Sequence, residues 1–297
     1  MSGSTEALRK KIEGAADLKG IVRSMKAMAA STIGQYEEAA RSLDQYYSNL
    51  EIGLGACFRE MERGGLLPEP SAPREATIGA VIFGSDQGLV GRFNEVLLDF
   101  VTRTLGLLPR KTSIILAVGE RMHASLPEAG LTNSILFAAP GSVDAITELV
   151  GRILSEIQKA REVGEVFEVY VFHNRPKSSA IFEPSSERLL PLDHLWRNTL
   201  RAVPWPTKLM PELIGGCDNV FPGLLEGYLF VLLFRACAES LASENASRLA
   251  AMQRAENNIA SIIEDLNLVY HRARQESIDE ELFDVISGYQ ALISEAQ

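Results

Sequence analysis

The stretch with the strongest claim to chemistry is Phe83-Gly84-Ser85-Asp86-Gln87-Gly88-Leu89-Val90-Gly91-Arg92-Phe93-Asn94, a glycine-bearing loop between a β-branched run and an amphipathic stretch. Such loops bind phosphate when backbone N–H groups and a following helix N-terminus converge on the anion. Here the glycines fit neither GxGxxG nor a P-loop, no Lys-Ser/Thr pair follows, and Asp86 would repel a phosphate. Taken alone, the residues favour a plain strand-to-helix turn. Ser85 does not sit in GxSxG, and His123, His173, His194 and His271 form no HExxH or other metal-ligand spacing. The adjacent carboxylates Glu264-Asp265 and Glu280-Glu281 fall on a helical pattern, where neighbours point about 100° apart and do not converge as an acid/base couple. Arg248, Arg254, Arg272 and Arg274 punctuate the same pattern, either as a solvated face or as docking points for acidic partner loops.

Composition narrows the classes further. The chain has 297 residues, 46% of them hydrophobic, enough for one or two ordinary cores. A net charge of −10 argues against a dedicated nucleic-acid binder, which needs a surplus of clustered Lys and Arg. Cys57, Cys217 and Cys237 lie far apart with no CxxC pair, which fits a reducing compartment and neither a disulfide scaffold nor a zinc site. The opening residues resemble neither a signal h-region nor a transit peptide, so cytoplasmic or membrane-peripheral residence is expected. The longest apolar run, Tyr228 to Phe234, is bounded by Glu226 and Arg235 and falls short of the roughly 20 residues a bilayer span needs, so no membrane crossing is expected.

The elements that must position these residues are legible in the periodicity. Across residues 1–63 apolar positions step by three and four: Leu8, Ile12, Ala15, Leu18, Val22, Met25, Ala29 and onward to Met61. The mean step of about 3.5 keeps a narrow seam facing one partner in a left-handed coiled coil. Gly14, Gly20 and Gly34 each weaken that helix by up to about 1 kcal/mol, so the arm needs its partner. Gly64-Gly65 and the proline run Leu67 to Pro73 should stop it.

Within 74–195 the period changes. Thr77–Phe83, Ser113–Val118, Asn133–Phe137 and Val166–Phe172 read as strands, with Phe93–Leu107 and Val143–Val163 as helices between them, which predicts a small doubly wound, Rossmann-like α/β domain. Ala180–Glu183 and Arg188–Leu192 suggest an edge hairpin. Residues 196–221, rich in Pro and Gly, suggest an irregular connector. Residues 222–297, with no proline after Pro222, permit a second long helix. The two seam-bearing arms close most simply as an antiparallel coiled coil with the α/β domain inserted between them. That pairing is expected to bring Arg9, Lys10 and Lys11 towards Glu276, Asp279, Glu280, Glu281 and Asp284.

Read together, the arms resemble the gamma subunit of F-type ATP synthases. The resemblance rests on Leu8-Arg9-Lys10-Lys11-Ile12 and Met25-Lys26-Ala27-Met28-Ala29-Ala30-Ser31 in the first arm. In the last arm it rests on Ser243 to Met252, Ala255-Glu256-Asn257-Asn258, Leu268 to Ile278 and Ile286-Ser287-Gly288. The loop Gly84–Asn94 resembles the family's Ser-Asp-Arg-Gly-Leu-Cys-Gly-Gly-Leu-Asn turn, with Gln87 and Val90 in place of its Arg and Cys. Thr32-Ile33-Gly34 departs from the family's basic residues, as in a divergent or alternative bacterial version. The resemblance implies a non-catalytic rotor shaft, with no cofactor or metal, present once per complex. Its expected partners are the alpha and beta subunits of the catalytic hexamer, an epsilon subunit and the membrane c-ring, at the cytoplasmic face of the bacterial plasma membrane, in service of ATP synthesis and ion transport, with hydrogen ion and sodium both open. It further implies that Met25, Arg248, Arg274 and Gln275 contact the alpha/beta hexamer, Arg274 and Gln275 at a beta-subunit catch loop and Met25 with Arg248 near an acidic beta motif. Two rival readings are an α/β nucleotide-binding enzyme with helical dimerisation arms and a free-standing coiled-coil adaptor.

Overall fold

The computed structural model describes residues 2–63, 77–164, 166–177, 180–190, 194–207, 214 and 216–295, with side chains described for all of these except 2–4, 180, 194–195 and 288–295. The helix-stop signals at Gly64-Gly65 and Leu67–Pro73, and Leu192 of the expected hairpin, lie outside the described residues. The chain divides into two compact units, one of Ala29–Arg248 and one of Met1–Met28 with Leu249–Gln297. Helices α1 (Ser2–Ser42) and α7 (Cys217–Glu295) contribute residues to both. Helix α2 (Asp44–Arg63) follows α1 across the turn residue Leu43, whose carbonyl still accepts from the Tyr47 N–H at 2.8 Å.

In the Ala29–Arg248 unit, β-branched runs build five strands: β1 (Ile78–Phe83), β2 (Thr112–Val118), β3 (Ser134–Phe137), β4 (Glu168–Lys177) and β5 (Ala180–Leu190). Their order is β3-β2-β1-β4-β5, the first four parallel and β5 antiparallel to β4. Alternation sends the residues of β1 to opposite faces. Ile78, Ala80 and Ile82 pack with Leu97 and Val101 of α3 (Phe93–Leu107) and Met122 of α4 (Glu120–Ser125). Val81 and Phe83 join Ile146, Val150 and Ile153 of α5 (Val143–Glu162), together with Leu233, Cys237 and Leu241 of α7. Both faces are therefore covered, as a mostly parallel sheet requires. Each fully buried Leu, Ile or Phe contributes roughly 1.5–3 kcal/mol of transfer free energy.

Three expectations change. The edge hairpin is one strand, β5, paired with β4 from Arg175↔Glu183 to Val169↔Leu190. Pro184, opposite Asn174, lies between the two stretches, and an outermost strand tolerates its missing N–H. The irregular connector 196–221 contains most of a helix, α6 (His194–Ala202). Its prolines come after the helix, Leu200 is buried, and Arg59 Nη1 donates to the carbonyls of Arg201 and Val203 at 2.9 and 3.0 Å, satisfying its C-terminus. Helix α7 begins at Cys217 and runs through Pro222. A proline this close to the start forfeits a bond only to the first turn, and Phe221 is held against the Phe58 ring at 5.5 Å.

One eighteen-residue stretch of α7 is apolar enough to cross a bilayer by composition. On the same helix, Tyr228, Leu229, Leu233, Phe234 and Cys237 are buried in the core shared with α2, α5 and the sheet. In the other unit, α1 and α7 run antiparallel, with Val22 buried against Met252 and Ile259, and Ala15, Met25, Ala255 and Ile263 packed around them.

Gly119, at φ +102°, is held where an added Cβ would lie 2.6 Å from the Ser85 backbone, whereas a Cβ on Gly151 within α5 would meet nothing. Gly119→Ala should therefore destabilise the protein by more than about 1 kcal/mol, and Gly151→Ala should stabilise it by roughly 0.5–1 kcal/mol. Urea denaturation of the two variants checks both signs.

Candidate functional site

The loop between β1 and α3 lies at the carboxyl end of β1, between β2 and β4, where an open α/β sheet changes winding direction and ligands usually bind. Its interior is closed by its own side chains. The Ser85 N–H donates to Asn94 Oδ1 at 3.1 Å, Asn94 Nδ2 donates to Ser85 Oγ at 2.7 Å, and Ser85 Oγ donates to the Gln87 carbonyl at 2.9 Å. Asp86 decides what the site can hold. Its Oδ1 accepts from the Glu120 N–H at 3.0 Å, at the start of α4, and its two oxygens accept from the Ala139 N–H at 3.2 and 3.1 Å. The backbone donors a phosphate would use are committed to a carboxylate of the chain itself.

Helix α7 fastens to this loop from the other side. Ser240 Oγ donates to the Phe83 carbonyl at 2.9 Å and Ser247 Oγ to the Val90 carbonyl at 2.6 Å, both buried. Burial pushes the Glu244 carboxyl above its usual range and nearby Asp86 adds to this, while Arg248 opposes through an ion pair at 2.6 Å. Next along α7, burial pushes Glu239 up, but hydrogen bonds from His173 and Arg235 prevail and hold it below the usual carboxylate range. The loop is a joint that grips a helix. Among the described residues no cluster of three His, Cys, Asp or Glu side chains could hold a metal ion.

The four residues singled out for partner contact fall in different settings. Arg248 belongs to the Ala29–Arg248 unit, bound within its helix to Glu244 and to Asn245 Oδ1 at 3.3 Å, with a buried Nε that has no protein partner among the described residues. Met25, Arg274 and Gln275 belong to the helix-pair unit. Met25 is half-buried against the Val22, Met252 and Ile259 cluster, while Arg274 and Gln275 are exposed and adjacent on α7. The expected pairing of Arg9, Lys10 and Lys11 with the acidic run near Glu280 is not formed by the first two: Arg9 pairs with Glu13 at 3.1 Å and Lys10 with Glu6 at 3.4 Å along α1. An i,i+4 partner on the same helix is held close without any tertiary ordering.

The family model described as ATP synthase matches residues 4–292, nearly the whole chain. The chain belongs to the ATP synthase family. Among curated relatives, the ATP synthase gamma chain of Polynucleobacter asymbioticus is 27% identical over 305 residues, covering 97% of this chain and 99% of its own. That of Cupriavidus necator is 29% identical, covering 98% of this chain and all of its own. Among solved structures, a chain of the Euglena gracilis mitochondrial ATP synthase OSCP/F1/c-ring assembly aligns with TM-score 0.68 at 16% identity, over all of this chain and 97% of that one. A chain of the Tetrahymena thermophila central stalk and c-ring aligns with TM-score 0.55 at 19% identity over 79% of this chain. These likenesses extend the family match to the fold.

Within this ATP synthase family fold, the residues that fix the helix pair were not singled out from sequence. Glu256 bonds Lys26 directly and takes Arg23 Nε at 3.3 Å, and Lys26 also donates to Gln253 Oε1 at 3.1 Å. Lys26 beside Glu256 holds its carboxyl below the usual range, with Arg23 adding less and desolvation opposing. The Lys26 side chain is 27% exposed and that of Arg23 72%, so solvent screens the second pair far more. The available signal was a carboxylate four residues after Met252, on the apolar stripe itself.

A depressed carboxyl contributes stability above the unfolded glutamate value of about 4.3 and loses it as pH falls through its lower folded value. Glu256→Gln should therefore lower the Tm at pH 7, and the gap from wild type should close as pH drops below about 4. A gap that persists in acid would show that Glu256 acts through shape and not charge.

Proposed function

We propose that this chain is the central rotor shaft of an F-type ATP synthase, coupling ion-driven rotation of a membrane c-ring to conformational change in a catalytic alpha/beta hexamer. The end-to-end family match carries this reading, because it includes both helical arms as well as the sheet. ATP chemistry then belongs to the beta subunits, and this chain is a non-catalytic subunit. The complex is membrane-associated through the ring, and bacterial relatives favour the cytoplasmic face of the plasma membrane.

The helix-pair unit has the surface such a role needs. Leu18, Ile21, Met28, Ile262, Leu268, Val269, Leu282, Phe283 and Val285 of α1 and α7 are exposed. Apolar side chains presented in this number favour an enclosing partner. Between them, polar groups such as Arg274 and Gln275 offer hydrogen bonds that form and break as identical neighbours pass, which gives discrete resting positions without a permanent grip. Met25 and Arg248 are assigned to a lower contact near an acidic beta motif, with Arg248 bringing an already oriented guanidinium. An epsilon subunit and the c-ring are assigned to the α/β unit, with one copy of this chain per complex. The rival nucleotide-binding reading loses its site to Asp86.

Co-purification with alpha and beta subunits, and ATPase assay with and without this chain, tests the reading; no association and no change in turnover would end it. Within the assembled enzyme, replacing Arg274 and Gln275 together by Ala should leave the isolated chain's stability within about 0.5 kcal/mol, since both are exposed, yet reduce ATP-driven ion pumping per ATP hydrolysed. Met25→Lys should also impair coupling, through a new ion pair with the acidic motif; full coupling in that variant counts against the placement of Met25.

A further inference from the structure

Two of the three cysteines, distant in sequence, meet where α2 and the first turn of α7 come together. Cys217 Sγ lies 3.7 Å from the Cys57 carbonyl oxygen, so the Cys217 thiol sits against the backbone of Cys57 itself. The surroundings hold them there. Phe58 stacks edge-on to Phe221 at 5.5 Å and to Trp196 at 5.6 Å, and the Leu224 side chain packs over Gly53 one turn before Cys57. Cys57 is fully buried and Cys217 half-exposed. Nothing in the shaft role uses either thiol.

We propose that Cys57 and Cys217 are a peroxide-sensitive dithiol that closes to a disulfide, clasping the first turn of α7 to α2. Exposure sets the order of events. The Cys217 sulfur attacks hydrogen peroxide, the O–O bond breaks, and the products are a Cys217 sulfenic acid and water. The Cys57 sulfur then attacks the sulfenic sulfur, the S–S bond forms, the S–O bond breaks, and the departing hydroxide leaves as water with the Cys57 proton. Two thiols and one peroxide give one disulfide and two waters, so the two electrons lost by sulfur reduce the peroxide. Burial pushes the Cys57 thiol up to about 11, which makes it the slower partner and suits it to the resolving role. Cys237 is the internal control. It is 1% exposed and buried in the sheet-facing core, where burial pushes its thiol up as well.

The closed bond would span 160 residues of chain, including the whole sheet, and long loops gain the most from cross-linking. It is independent of the shaft reading, because it is measured on the isolated full-length chain. Treatment with hydrogen peroxide, blocking of free thiols and non-reducing peptide mapping should yield a Cys57–Cys217 linked peptide and leave Cys237 free. The oxidised chain should melt roughly 5–10 °C higher, and dithiothreitol should reverse the shift. Cys217→Ser, at a half-exposed position that tolerates the change, should abolish both the link and the shift, and Cys237→Ser should abolish neither. Accumulation of Cys217 sulfinic acid beside a free Cys57 would overturn the proposal, as would linkage through Cys237 or no oxidation at either thiol.

Discussion

The packing of α7 against the sheet is the constraint on which the rest depends. Between Tyr228 and Ser247 that helix supplies Leu233, Cys237 and Leu241 to the core and places Ser240 and Ser247 on the carbonyls of Phe83 and Val90. The apolar contacts are non-directional and would tolerate some sliding. The two buried hydroxyls would not, because a shift of one residue turns them away from their acceptors and leaves buried carbonyls unpaired. Hydrophobic burial therefore supplies the attachment and two hydrogen bonds set its register. The same unbroken helix goes on to residue 295 and forms one side of the helix pair.

The loop that receives α7 shows why a fold does not name an activity. Strand order β3-β2-β1-β4 creates the crevice that nucleotide-binding sheets use, and a glycine-bearing turn follows β1 as it does in them. A single carboxylate changes the outcome. Asp86 accepts from the N–H groups of Glu120 and Ala139, doing internally what a phosphate does in a binding site, and Ser85 and Asn94 close the turn behind it. Helix α7 then covers the crevice. The switch point thus joins two parts of the same domain.

Much of this was readable from period alone. The β-branched runs and the amphipathic stretch Phe93–Leu107 became elements within a few residues of their expected ends, since burial of one face dictates each. The three-four stripe of the first arm became two helices that meet at Leu43, with Val22 in the helix pair and Leu54 and Phe58 in the core of the α/β unit. The failures have local causes. Pro184 and the Pro/Gly-rich stretch after Ala202 are strong punctuation, yet an edge strand absorbs the first, and α6 is held by Leu200 burial and the Arg59 cap that come from elsewhere in the chain. The charged groups were the least legible. Arg9 and Lys10 find partners one turn along their own helix, whereas Lys26 and Glu256 pair across 230 residues of sequence.

That contrast bears on how a helix pair can serve as a shaft. A seam of Val22, Met252 and Ile259 is strong in sum but smooth, and small side chains such as Ala15, Ala251 and Ala255 around it offer little resistance to one helix sliding past the other. Lys26 resists that slide, because it engages Gln253 and Glu256 one turn apart and a shift along the axis draws its ammonium away from one of them. Arg274 and Gln275 stand on the outside with side chains free to engage a neighbour. Directional polar contacts inside the pair and replaceable ones outside it are what a rotating element needs, since internal register must survive every step while external contacts must not.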